Sequence, residues 1–348
     1  MSIRFGLVGA LLVVGACSSS KDKAQESSSA ESTEKAEQSV GEVVVYSGRS
    51  SSLVGPLFEK FEAKTGIKVK TRYEKSTQAL ANRIALEGPQ TQADVFFAQD
   101  SGYLGALGQK GLLAPLPKDV LDRVAANRKD EGGHWVASSG RARVLVYSPE
   151  RVKAEELPKT LFELTDAKWS GRMGWAPSNS SYQAHVSALR ALWGEEKTRE
   201  WLEKMAANKP KVYPKNSPQV KAVSNGEIDA GWVNHYYLHK LKAANRDLKA
   251  ANHSFTEKGD AGNVLMLSGL AITKATRNAK NAEALVAFLL SDEAQNYFAQ
   301  NVYEYPTVQG IKTHADVPAL PDAWATVEQS ALADVAGTIK LLRAVKLQ

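Results

Sequence analysis

From residue 42 onward the chain alternates two apolar patterns. "EVVVYSG" (42–48) is a compact β-branched run closed by glycine, as expected of a buried parallel strand. In "SSSLVGPLFEKFEAKTG" the serines and early Pro56 open a helix, Leu53, Leu57, Phe58 and Phe61 fall on one stripe, and Gly66 ends it. "IKVKTRY" alternates like a half-buried strand, "STQALANRIALEG" is again helical and closes at Gly88 and Pro89, and "ADVFFA" (93–98) returns to strand. "SGYLGALGQKGLL" (101–113) predicts a short helix with its exit at Gly111. The order βαβαβα argues for an open parallel sheet with helices on both faces.

"HWVASSGRARVLVYSP" (134–149) is a long extended stretch, one strand or two around Gly140. Turns at "ELPKT" and "WAPSN" precede a helix in "SYQAHVSALRALWG", with Leu189, Leu192 and Trp193 inward. "KVYPKNSPQVKAVSNGEIDAGWV" reads as turn, short helix, Asn225-Gly226 turn and strand. "NVLMLSGLAITKAT" (263–276) is a second long extended run, and "NAEALVAFLLSDEAQNYFAQNVYEYP" predicts an amphipathic helix ending near Pro306, with further helix to the C-terminus. No fixed-period repeat is present. The two extended segments split the chain into two α/β lobes joined by hinge strands: 41–140 and 266–310 in lobe 1, 141–265 in lobe 2, and helices of 311–348 packing on lobe 2. About 308 residues are more than one core usually holds, which favours the same division.

The first forty residues follow neither pattern. "MSIRFGLVGALLVVGACSSS" carries one positive charge at Arg4, a twelve-residue apolar run from Phe5 to Ala16, and small residues before Cys17, the pattern of a secretory signal. That run is too short to span a bilayer as a permanent helix. Cys17 is the only cysteine among 348 residues, so no disulfide framework exists. "VGAC" resembles the lipobox of bacterial lipoproteins, which implies acylation of Cys17 and a lipid anchor on the periplasmic side of a membrane. Residues 18–40 are serine, glutamate, lysine and alanine, expected to be a flexible tether. Removing Arg4 and the tether's three lysines from 44 basic residues leaves 40; removing its five acids from 38 leaves 33, so residues 41–348 carry about +7. The excess is dispersed, which argues against a nucleic-acid partner.

The most informative stretch is "NHYYLHKL" (234–241). Adjacent side chains diverge on a regular element, so Tyr236 and Tyr237 do not both serve one packing face; a bend between strand and helix lets both phenols turn to a cleft. The segments "VVVYSGRSSSLVGPLFEKFEAKTGIKV", "ADVFFAQDSGYLGALGQKGLLAPLP", "SGRARVLVYSPERV", "GWVNHYYLHKL" and "NVYEYPTVQGI" together resemble the periplasmic ferric-iron-binding proteins of bacterial ABC importers, over residues 42–312. The resemblance implies a monomeric bilobal binding protein that closes on a ferric ion and passes it to a membrane permease. It also implies Tyr236 and Tyr237 as ligands, with Tyr182 in "SNSSYQAHVSAL" as the third.

The chemistry supports this independently. Ferric iron is a hard cation that prefers anionic oxygen, a multivalent cation lowers a phenol's pKa from about 10, and three phenolates cancel its charge. The sequence departs from the family where lobe 1 would contribute: Ser50 and Ser51 stand where a histidine or tyrosine is common, and Gln99 where others have glutamate, so closure is expected to depend more on hydrogen bonds from Ser50, Arg49 or Gln99 than on metal coordination. The remaining positions then fall to water, to a borrowed anion such as carbonate or citrate, or to another tyrosine; otherwise the site serves a different cargo. Ser180, Ser181 and Asn234 are candidate anion donors, the serines at a helix N-terminus, with a plain Asn or Ser N-cap as the alternative. Arg141 and Arg143 share one strand face and are candidates for the same anion, or partners of surface acids. His235 reads as a packing or supporting residue, and the remaining histidines lack zinc-ligand spacing. No phosphate-binding glycine loop or nucleophile elbow is present, so enzyme function is not expected. An organic phosphate bound by the same fold is the competing cargo.

Overall fold

The computed structural model describes residues 41–347 apart from residues 75, 321–323, 326 and 328; the signal segment, Cys17 and the tether lie outside the described residues. The first layer is β1 (Glu42–Ser47), α1 (Ser51–Thr65), β2 (Lys68–Tyr73), α2 (Thr77–Glu87), β3 (Val95–Ala98), α3 (Ser101–Gln109) and the single turn α4 (Lys118–Leu121). β1 pairs in parallel with β2 and β3. Alternation along these strands sorts side chains between two cores. Val43, Val45 and Phe97 meet Leu57 and Phe61 of α1, whereas Tyr46 and Phe96 meet Leu80 of α2 and Leu104 of α3.

The chain then crosses through β4 (Val136–Tyr147) into β5 (Met173–Trp175), α5 (Ser180–Ala207), β6 (Lys211–Val212), α6 (Asn216–Ser224), β7 (Ala230–Asn234), α7 (Tyr236–Ala244) and β8 (Ala251–His253). It returns through β9 (Leu265–Ile272), α8 (Ala279–Leu289), α9 (Asp292–Asn301) and β10 (Tyr305–Pro306), and ends in a 3₁₀ segment (Gln329–Ala333) and α10 (Val335–Ala344). The strand order is β2-β1-β3-β9-β4-β7-β5-β6, with β8 and β10 pairing onto β4. The middle portion has cores of its own: Trp169, Trp175, Trp201 and Trp232 on one face, and Val144, Val146, Val220 and Val233 on the other.

Three details differ from the pattern-based expectation, and one settles the choice it left open between one strand and two around Gly140. The sheet is not wholly parallel, because β9 comes back from the second half and pairs antiparallel with both β3 and β4. Residues 136–147 form one strand, with a register shift between Ala137 and Ser139. The helix expected over 281–306 is two, because Ser291 leaves helical geometry and its hydroxyl caps Ala294 N–H. Its end near Pro306 also fails: the helix stops at Asn301, and Tyr305–Pro306 pair with β4. In the long helix α5, Gly194 breaks the backbone with φ 80° and ψ 171°.

Candidate functional site

β7 ends at Asn234, His235 already has helical dihedrals, and α7 begins at Tyr236, so the strand-to-helix bend falls on the tyrosine pair. The two rings stack on each other, centroids 4.3 Å apart and planes 30° apart. Tyr236 is buried and Tyr237 half-buried. His235 fixes this corner. Its Nδ1 accepts the Ala142 N–H (3.1 Å) and its Nε2 donates to the Tyr303 carbonyl (2.7 Å), so one neutral tautomer links β4, β7 and the segment before β10. Burial first, and then the neighbouring His239, depress its pKa to about 4. Tyr303, at the receiving end, holds a left-handed φ of 63°, a conformation that costs a non-glycine residue about 1–2 kcal/mol.

Tyr182 enters from the first turn of α5, where the Asn179 side chain accepts the Ser181 N–H and caps the helix. Its ring packs edge-on against Trp175 at 5.9 Å, while its hydroxyl is buried without a protein partner. Burial pushes this phenol well up, and Arg143 opposes the shift. Tyr236 is likewise pushed well above the usual range by burial, with Tyr237 and Glu304 adding to the effect and Arg49 and Arg141 opposing it.

Three buried guanidinium groups surround the phenols, and they are partnered unequally. Arg49, in the loop after β1, donates through Nη2 to both oxygens of Glu304 at 2.8 Å, and Glu304 also accepts from Ser139 Oγ at 2.6 Å. Burial alone would raise the Glu304 pKa, but Arg49 and Arg141 hold it below the usual value. Arg141 donates to Asp100 Oδ1 at 2.8 Å and to the Gln99 carbonyl. Its acid partner is therefore buried, not the surface acid considered from sequence. Arg143 has no carboxylate: Nη1 reaches Asn216 Oδ1 and Asn234 Oδ1, both at 3.1 Å, and Ser181 Oγ at 3.4 Å, and Nη2 reaches the Trp232 carbonyl at 2.6 Å. Burial pulls its pKa down to about 9, while Tyr182, Tyr237 and Tyr236 act electrostatically in the other direction. That one guanidinium is thus coupled to all three tyrosines. Nε and Nη1 of Arg49, Nε and Nη1 of Arg141, and Nε of Arg143 are buried donors without a protein acceptor.

Of the other sequence candidates, Gln99 donates to Ser180 Oγ at 3.3 Å, joining the end of β3 to the start of α5. Ser181 and Asn234 hold Arg143. Ser50 stands apart: it is exposed at the N-cap of α1, and its hydroxyl pairs with Ser52. Glu304, Asp100, Asn216 and Ser139 were not singled out from sequence. The only available signal was an acid flanked by tyrosines in "YEYP", and the partner that makes it structural lies 255 residues away. Among the described residues no group of three or more His, Cys, Asp or Glu could hold a metal ion. No helix among the described residues is long and apolar enough to cross a membrane.

The chain belongs to the bacterial extracellular solute-binding protein family, whose model matches residues 46–296. It shares 34% identity over 275 residues with the major ferric iron-binding protein of Neisseria meningitidis, covering 77% of this chain and 81% of that one. It shares 33% identity over 284 residues with iron uptake protein A1 of Synechocystis, covering 79% and 78%. Among solved structures, iron-bound HitA from Pseudomonas aeruginosa superposes with a TM-score of 0.84 at 31% identity, over 88% of this chain and 99% of that one. The fold is accordingly the bilobal periplasmic-binding-protein fold.

Proposed function

We propose that this protein captures ferric iron between its lobes through the phenolates of Tyr182, Tyr236 and Tyr237 and hands it to an ABC permease, tethered to the membrane through a lipid on Cys17. The lobes are 41–140 with 266–310 and 141–265; 311–348, expected to pack on the second, reaches α3 of the first as well. The observation that carries the reading is the unpaired charge. Arg49 and Arg141 have Glu304 and Asp100 as partners, whereas Arg143 is buried without a carboxylate and is coupled to the three phenols. An isolated buried cation is costly. The three phenolates are matched by the ferric ion, so the counter-charge for Arg143 falls to a bound anion, and its unpartnered Nε is a free donor for an oxygen of the site.

The charge count also bears on a second ligand. Three guanidinium groups and two carboxylates leave +1; three phenolates and a ferric ion change nothing in that sum. A small oxyanion such as carbonate or citrate would more than offset the remainder and accept from the free Nε and Nη1 of Arg49 and Arg141. The same free donors favour an organic phosphate as the alternative cargo. Colour separates the two, because ferric phenolate absorbs visible light by charge transfer. Ferric-loaded protein should be coloured, with the band weakened by Tyr182→Phe, Tyr236→Phe or Tyr237→Phe and affinity falling in each. A colourless protein, or three variants that bind ferric iron like wild type, rejects the assignment.

A further inference from the structure

Behind the tyrosine corner the C-terminal segment lies against both halves at once, and its two attachments differ in kind. Toward α3 it makes a close backbone contact. A Cβ placed on Gly102 would sit 2.3 Å from the Leu332 carbonyl oxygen and 3.3 Å from Val335 Cγ2, and one on Gly105 would sit 3.2 Å from Ala333 Cβ. Glycine at these helix positions costs helix stability, so the close approach is what it allows. Toward α5 the segment is held by polar bonds and by core. Arg190 Nη1 donates to the Asp334 carbonyl and to Thr338 Oγ1, each at 3.0 Å, and Nη2 donates to Asp334 Oδ2 at 2.9 Å. Ser187 Oγ lies 2.7 Å from Thr338 Oγ1, and Leu341 and Leu342 are buried in the core of Val186 and Trp201.

The seam on the α3 side is also imperfectly satisfied. A cavity of about 10 Å³ lies between α3, α5 and the segment, and two residues lining it, Asp100 and Tyr103, carry buried oxygens without a protein partner. Unpaired buried polar atoms regain hydration when exposed, so parting this seam and wetting it offsets much of the contact that is lost. The α5 side has no such defect at its hydroxyl pair. When the halves separate, the segment must leave one of them, and the balance favours leaving α3.

The location gives the seam a role. α3 starts directly after Gln99 and Asp100, which hold Arg141, and α5 starts with Ser180 to Tyr182; Gln99 and Ser180 join across the front. We propose that residues 329–344 form a closure latch, carried permanently by α5 and seated on the glycine face of α3 only when the lobes are shut. The latch rests on the two-lobe reading above, but its test does not require iron. It predicts that undocking lowers the closed fraction and so weakens apparent affinity in proportion.

Two variants unseat it from opposite sides. Gly102→Ala puts a methyl into the Leu332 carbonyl. Val335→Asp replaces the apolar contact from the segment's side, and an acid is well tolerated in the first turn of α10, so it serves even where Gly102→Ala folds poorly. In metal-free protein, amide hydrogen exchange should quicken about tenfold at 101–109 and 329–335 while 338–344 stays as slow as in wild type. Ferric release should quicken by a similar factor. Unchanged exchange at 101–109 overturns the proposal, as does loss of protection at 338–344 together with 329–335. Faster exchange with wild-type ferric release also overturns it, because the segment would then not govern closure. A wild-type protein that binds no iron rejects the proposed cargo instead, and the exchange result alone then decides the latch.

Discussion

Glu304→Gln tests the charge architecture around the tyrosines. In the native protein both Glu304 oxygens accept from Arg49 Nη2 at 2.8 Å, the second also accepts from Ser139 Oγ at 2.6 Å, and neither side chain of the ion pair is exposed. Glutamine keeps the shape but turns one acceptor into a donor facing other donors, and it leaves Arg49 as a buried cation with no anion. Breaking one side of a buried pair costs about 3–5 kcal/mol, a large part of the roughly 5–15 kcal/mol that holds a domain folded. Replacing both partners, as Arg49→Met with Glu304→Leu, removes the orphaned charge and should recover most of that loss. Urea unfolding of metal-free protein reads the effect as a shift in midpoint at constant slope. A Glu304→Gln variant within about 1 kcal/mol of wild type, or a double variant no more stable than the single, would refute the reasoning.

Two pH dependences follow from the buried groups. His185, His235 and His239 have folded pKa values of about 3, 4 and 4, each lowered first by burial, so the unfolded chain binds protons more readily. Stability is therefore complete above pH ~6.5 and is lost as pH falls toward the folded values, by about 2 kcal/mol at pH 5 for His235 alone. Urea midpoints that do not change between pH 7 and pH 5 would contradict this. The raised phenols of Tyr182 and Tyr236 are protonated without metal, so each must lose its proton on coordination. For these two groups the logarithm of ferric affinity should rise by about two per pH unit near neutrality, and a slope near zero in a competition titration would exclude phenolate ligation.

The halves of the fold were legible because strands such as "EVVVYSG" and "ADVFFA" carry their burial in local composition, and the glycines at 66 and 88 do end α1 and α2. What the pattern missed depended on distant partners. β9 could not be oriented, because its direction follows from a crossing more than a hundred residues earlier. The break at Ser291 was masked by apolar periodicity on both sides of it. At the site, the adjacent tyrosines stood out since side-by-side phenols suit no packing face, and their stacking at a strand-to-helix bend shows how the backbone accommodates them. Glu304 and Asp100 were invisible as site residues because an acid acquires its meaning there only from a buried guanidinium brought to it by folding.

Diffraction from crystals loaded with ferric iron, using the metal's anomalous signal to place it, tests the central claim most directly. The account predicts a single strong peak bonded to the phenolic oxygens of Tyr182, Tyr236 and Tyr237. A peak elsewhere in the molecule, or one contacted by none or only one of these three oxygens, would contradict it.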